Sequence, residues 1–94
     1  MNLTVSLKGL DGKAILNESN YPVMLNQQLA NMIVAEEAKE NILQRYELAM
    51  KLNVAENEIE ITESEKQIIK GVCEGGRVTV LFAAQVLGII NNAK

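Results

Sequence analysis

The chain is 94 residues long, 48% hydrophobic and 22% charged, carries a net charge of −3, and has neither histidine nor tryptophan. That length suits one domain; a single cysteine excludes a disulfide framework, and the missing histidine excludes Cys/His zinc sites and every triad built on an imidazole base. No run approaches the ~18 consecutive apolar residues of a membrane span, and no basic n-region with an apolar h-region opens the sequence, so neither an anchor nor a secretory leader is expected.

Residues 2–8 alternate, with Leu3, Val5 and Leu7 facing one way and Thr4 and Ser6 the other, the period of a half-buried strand. Gly9-Leu10-Asp11-Gly12 follows. Asp-Gly tolerates positive φ and is a strong hairpin signal, which makes residues 13–17 a return strand. Residues 17–22 are turn formers, and Pro22 biases Tyr21 away from the α region, so a helix starts beyond it. Met24 or Asn26 stands near its cap, and Asn26 has the better chemistry because its side-chain oxygen can accept an early N–H. Leu25, Leu29, Met32 and Ile33 then share one helical face.

Over residues 37–53 a second face collects Ile42, Leu43, Tyr46, Ala49, Met50 and Asn53, leaving Glu40, Arg45, Glu47 and Lys51 for solvent. Glu47 and Lys51 stand at i,i+4 in the favourable order. Neither Gly nor Pro divides the two segments, so they form either two helices with a bend near residues 35–39 or one long helix. Residues 54–61 end by alternating Ile59 and Ile61 with Glu58 and Glu60, a short strand or extended segment that could join the hairpin. Thr62-Glu63-Ser64-Glu65 is a capping box opening a helix that presents Ile68, Ile69, Val72 and Cys73, with Gly75 as a left-handed stop.

The last segment, Val78 to Ile90, is apolar except at Thr79, Gln85 and Gly88. A helix of that kind must be covered nearly all round, either by another subunit or by the other helices wrapped about it. In the first arrangement Val78, Leu81, Phe82, Val86, Leu87, Ile89 and Ile90 form an oligomer interface. The fold expected is therefore a single α+β domain over residues 1–94. It has an N-terminal β-hairpin, a third short strand as an option, three to four helices and an apolar C-terminal helix.

Charge is uneven: residues 36–65 carry a net −6 and the remainder +3. No basic stripe with interleaved aromatics exists, which disfavours nucleic-acid binding. The acidic pairs, such as Glu36 with Glu40 and Glu56 with Glu60, read as solvated surface rather than acid–base machinery, and no metal or cofactor is expected. Cys73 reads as a small core residue of a reducing compartment. Gly75-Gly76-Arg77 is the anion-site candidate, since free backbone N–H groups before a helix, next to an arginine, can hold a phosphate. Its competing reading is helix punctuation.

The order of features has a further implication. Leu7 leads to Leu10-Asp11-Gly12-Lys13, then Pro22-Val23 and Leu29-Ala30. Leu48-Ala49 with Lys51-Leu52 follows, then Glu58 to Thr62, Glu65 with Ile68-Ile69-Lys70, and a closing Val80 to Leu87 run containing Gln85. This pattern resembles a group of small proteins encoded by bacteriophages and prophages. The resemblance implies a viral or mobile-element protein of the bacterial cytoplasm and carries over no functional residue. The function expected is a non-enzymatic binding protein that forms a homo-oligomer and engages a host or viral protein. Sequestration of a defence nucleotide between subunits and a structural role in a virion are the competing readings.

Overall fold

The computed structural model describes residues 2–35, 40–75 and 78–92, with only the backbone of Asn92. Four helices follow one another: α1 (Leu25–Ala35), α2 (Ile42–Val54), α3 (Glu63–Glu74) and α4 (Val80–Asn92). Segments 24–53 are thus two helices, although no Gly or Pro parts them. Asn41 starts α2 from a left-handed backbone, φ 57°, a conformation that asparagine tolerates better than most residues.

Among the described residues there is no strand or sheet, and the expected α+β class with its N-terminal β-hairpin and third strand is corrected to all-α. The predicted turn does form. Gly12 takes φ 80°, its N–H reaches the Gly9 carbonyl at 3.0 Å, and Asp11 Oδ1 accepts from the Lys13 N–H. What fails is the ladder beyond the turn. Leu7 donates its N–H to the Val23 carbonyl (2.7 Å), Val23 donates to Ile15 (2.9 Å), and Ile15 donates back to Leu7 (2.8 Å). Three extended segments close a ring, each spending one rung on each neighbour, so only isolated antiparallel bridges remain: Ser6 with Met24, Lys8 with Ala14, and Leu16 with Pro22. The ring members stand eight residues apart. A matching set of bonds, Gly9 to Lys13, Asn17 to Tyr21 and Leu25 to Val5, repeats at the same interval.

This N-terminal ring also starts α1. The N–H groups of Leu25 and Asn26, which have no partner within their helix, donate to the carbonyls of Val5 and Leu3. Asn26 is consequently not the cap. It lies inside α1, buried, with Nδ2 on the Leu52 carbonyl at 2.8 Å, where it ties the start of α1 to the end of α2.

The α3 capping box is present in full. Glu65 N–H donates to Thr62 Oγ1 (3.2 Å) and Thr62 N–H to Glu65 Oε1 (2.9 Å). Ile68, Ile69, Val72 and Cys73 face the core as the spacing predicts. After a bend at Glu56 and Asn57, residues 58–62 run without regular secondary structure, with Ile59 and Ile61 half-buried against the core.

One apolar cluster joins everything: Leu3 from the ring, Leu25, Leu29 and Ile33 from α1, Leu48 and Leu52 from α2, Ile69 from α3, and Phe82, Val86 and Ile90 from α4. Those last three stand at i, i+4 and i+8, one stripe of α4. Burying each such aliphatic or aromatic side chain contributes roughly 1.5–3 kcal/mol, which is how so short a chain offsets its conformational entropy.

Candidate functional site

The α4 side chains assigned to an oligomer interface divide in two. Phe82, Val86 and Ile90 are consumed by the chain's own core, and Val78, Leu81, Leu87 and Ile89 are half-buried. Gln85, one of the polar interruptions, explains part of that cover. Its Oε1 accepts from the Lys8 N–H (2.9 Å) and its Nε2 donates to the Lys8 carbonyl (2.6 Å), so the amide completes the Lys8 backbone as a neighbouring strand would and docks α4 on the ring. Val80, at 85% exposed, is the large apolar residue of α4 left in water.

The excess apolar surface lies on α2 instead. That helix carries two apolar stripes. Leu48, Ala49 and Leu52 turn inward. Ile42, Leu43, Tyr46, Met50 and Val54 lie on a second side of the same helix and remain half or more exposed, and Val34 of α1 is exposed beside them. Most of the sequence-predicted inner face of α2 is therefore the outer one. Ala49 is its one buried member, and Leu48 and Leu52 took the position in the core.

Between α1 and α2 this surface dips into an open depression of about 210 Å³, lined by Ala30, Asn31, Val34, Ala49, Met50 and Asn53. No lining residue is charged. The chemistry on offer is apolar contact with amide hydrogen bonding from Asn31 and Asn53, which suits an aliphatic or aromatic side chain and offers no positive charge to a phosphate.

On the far side of α2, Lys51 does not pair along the helix with Glu47. Its Nζ reaches Glu65 Oε1 at 2.9 Å and the Glu60 carbonyl at 2.7 Å, which joins α2 to the α3 N-terminus. Partial burial pushes the Glu65 carboxyl up, but the Thr62 N–H, the Lys51 ammonium and the Thr62 hydroxyl outweigh it, so the group sits below its ordinary value of 4.5.

Of the anion-site candidate, Gly76 and Arg77 lie outside the described residues. Gly75 closes α3 with φ −74° and ψ 0°, so the left-handed stop does not form. A Cβ there would stand 3.1 Å from the Gly71 carbonyl oxygen, so a larger residue would need that carbonyl to give by a few tenths of an ångström. Cys73 is a buried free thiol, pushed up to about 11 first by burial and then by the Glu74 charge, so it is a neutral core side chain at neutral pH. Among the described residues no group of three or more acidic, cysteine or histidine side chains is placed to hold a metal ion, and no helix is long and apolar enough to cross a membrane. No family model, no curated protein and no solved structure matches this chain.

Proposed function

We propose that the chain is a non-enzymatic binding protein that acts through protein–protein contact on the α1–α2 surface, self-association included. The observation that carries the reading is the uncharged apolar surface made by Val34, Ile42, Leu43, Tyr46, Met50 and Val54 around its depression. Together these residues leave on the order of 600 Å² in water, the upper end of a monomer's largest patch and most of the roughly 800 Å² that each side of a standard interface buries. Exposed tyrosine and methionine suit it further, since both are enriched at interface centres. The single buried Cys73 fits a reducing compartment such as the cytoplasm. Placing the partner in an infected bacterium rests on the resemblance to phage and prophage proteins.

The test is affinity capture with wild-type, Val34→Asp and Met50→Asp baits in parallel. Both substitutions lie on exposed positions, so the fold is expected to survive them. Copies of the chain or other proteins held by the wild type and lost from both variants support the reading. Identical captures from all three baits overturn it.

A further inference from the structure

We infer that the occupant of the α1–α2 depression is Tyr46 of a second copy of this chain, in a two-fold dimer with the two α2 helices antiparallel. The inference rests on the reading of this surface as the binding surface and adds its partner and geometry.

A knob and a hole lie on one face. Tyr46 is 52% exposed and stands one helical turn, about 6 Å, before Met50, whose side chain lines the depression. A cavity of about 150 Å³ accepts a benzene ring, so about 210 Å³ receives a phenol side chain. Antiparallel pairing about a two-fold axis level with Leu48 sets Tyr46 of each copy beside Met50 of the other, and Ile42 beside Val54. The contact is isologous, with each copy giving the knob and taking it. Asn31 and Asn53 on the lining give the phenol hydroxyl an amide partner, as a buried tyrosine requires.

Charge at the depression does not oppose the same occupant. A lining without charge complements itself and offers no attraction to a basic or acidic partner. Each copy bears −3, so the long-range term between copies is repulsive and salt screens it.

Sedimentation equilibrium over a concentration series, at low and at high sodium chloride, tests this on the full chain, with Tyr46→Ala, Met50→Asp and a control, Leu10→Asp, in the exposed turn of the N-terminal ring. The expected result is a dimer of the 10.3 kDa chain. Its dissociation constant should be unchanged or tighter at high salt. It should weaken by about 100-fold or more with Met50→Asp and by about 10-fold with Tyr46→Ala, hot-spot magnitudes for central side chains, and stay put with Leu10→Asp. Circular dichroism of each variant identifies any that has unfolded, which Val54→Asp, at an exposed position of the same face, then replaces, and Tyr46→Phe is added as the conservative variant. Phe keeps the ring and loses the hydroxyl, so it should retain the dimer with a modest weakening. A wild type that stays monomeric at hundreds of micromolar overturns the dimer. So does a dimer that is indifferent to Tyr46→Ala and Met50→Asp. If the dimer fails but Met50→Asp still abolishes capture of another protein, the surface reading stands; if neither depends on the surface, both fall.

Discussion

Asn26 shows how one buried polar side chain is held. At 1% exposed it donates from Nδ2 to the Leu52 carbonyl, while its Oδ1 meets no partner among the described groups. Replacement by aspartate would set a carboxylate against that carbonyl in a dry site. Asn26→Asp is therefore expected to cost more than Asn26→Ala, the latter about 1–3 kcal/mol, with the gap closing at acid pH as the carboxyl takes a proton. Urea unfolding at neutral and acid pH checks both parts. Gln85 makes the complementary case, using donor and acceptor on one residue. Gln85→Glu keeps an acceptor for the Lys8 N–H but turns a carboxylate oxygen on the Lys8 carbonyl, so it is expected to destabilise at least as much as Gln85→Ala, about 1–2 kcal/mol, and to speed exchange of the Lys8 amide. Neither role was legible in the sequence. An asparagine one position inside a helix looks like its cap, and the partner of Gln85 lies 77 positions away.

At the scale of elements, α3 is the helix that reads most completely. Its capping box is local, its inward stripe is regular, and the distant Lys51 shares Glu65 Oε1 without displacing either capping bond. Thr62→Ala is expected to cost ~1 kcal/mol, the ordinary worth of such a cap. Glu65 adds a pH signature. Its folded pKa is lowered, so its contribution is complete above the unfolded value near 4.5 and is lost as pH falls through the lowered folded value. The stability difference between wild type and Glu65→Gln, followed by denaturant titration from pH 7 to pH 3, should shrink across that acid range and stay level above it. The helix α2 misleads for the opposite reason. Both Ile42–Tyr46–Met50 and Leu48–Leu52 satisfy a helical period, and only the arrival of α1 and α3 decides which stripe turns inward. The N-terminal segments mislead in a third way. Their alternation correctly marks extended backbone, but hydrogen-bond partners are chosen among three segments at once, which pairwise turn signals cannot express.

For the molecule as a whole, Cys73 is a reporter already in place. Buried in the common core and pushed up to about 11, it is shielded in the native state and reactive once the chain unfolds. Alkylation with a maleimide at neutral pH should stay slow until denaturant reaches the circular dichroism transition, and then follow it. Labelling well before the transition would mean that α3 opens on its own. Because the folded thiol holds its proton to higher pH than the unfolded one, the fold should also lose stability as pH climbs past the ordinary thiol value of 9.0.

The three-way closure at Leu7, Ile15 and Val23 has a consequence for crowded solutions. Each of these amides and carbonyls is already committed to a sibling within the same chain, so at these rungs no open rim greets an incoming extended strand. Strand addition at Leu7, Ile15 and Val23 is thereby blocked, within segments whose alternating composition would otherwise invite it.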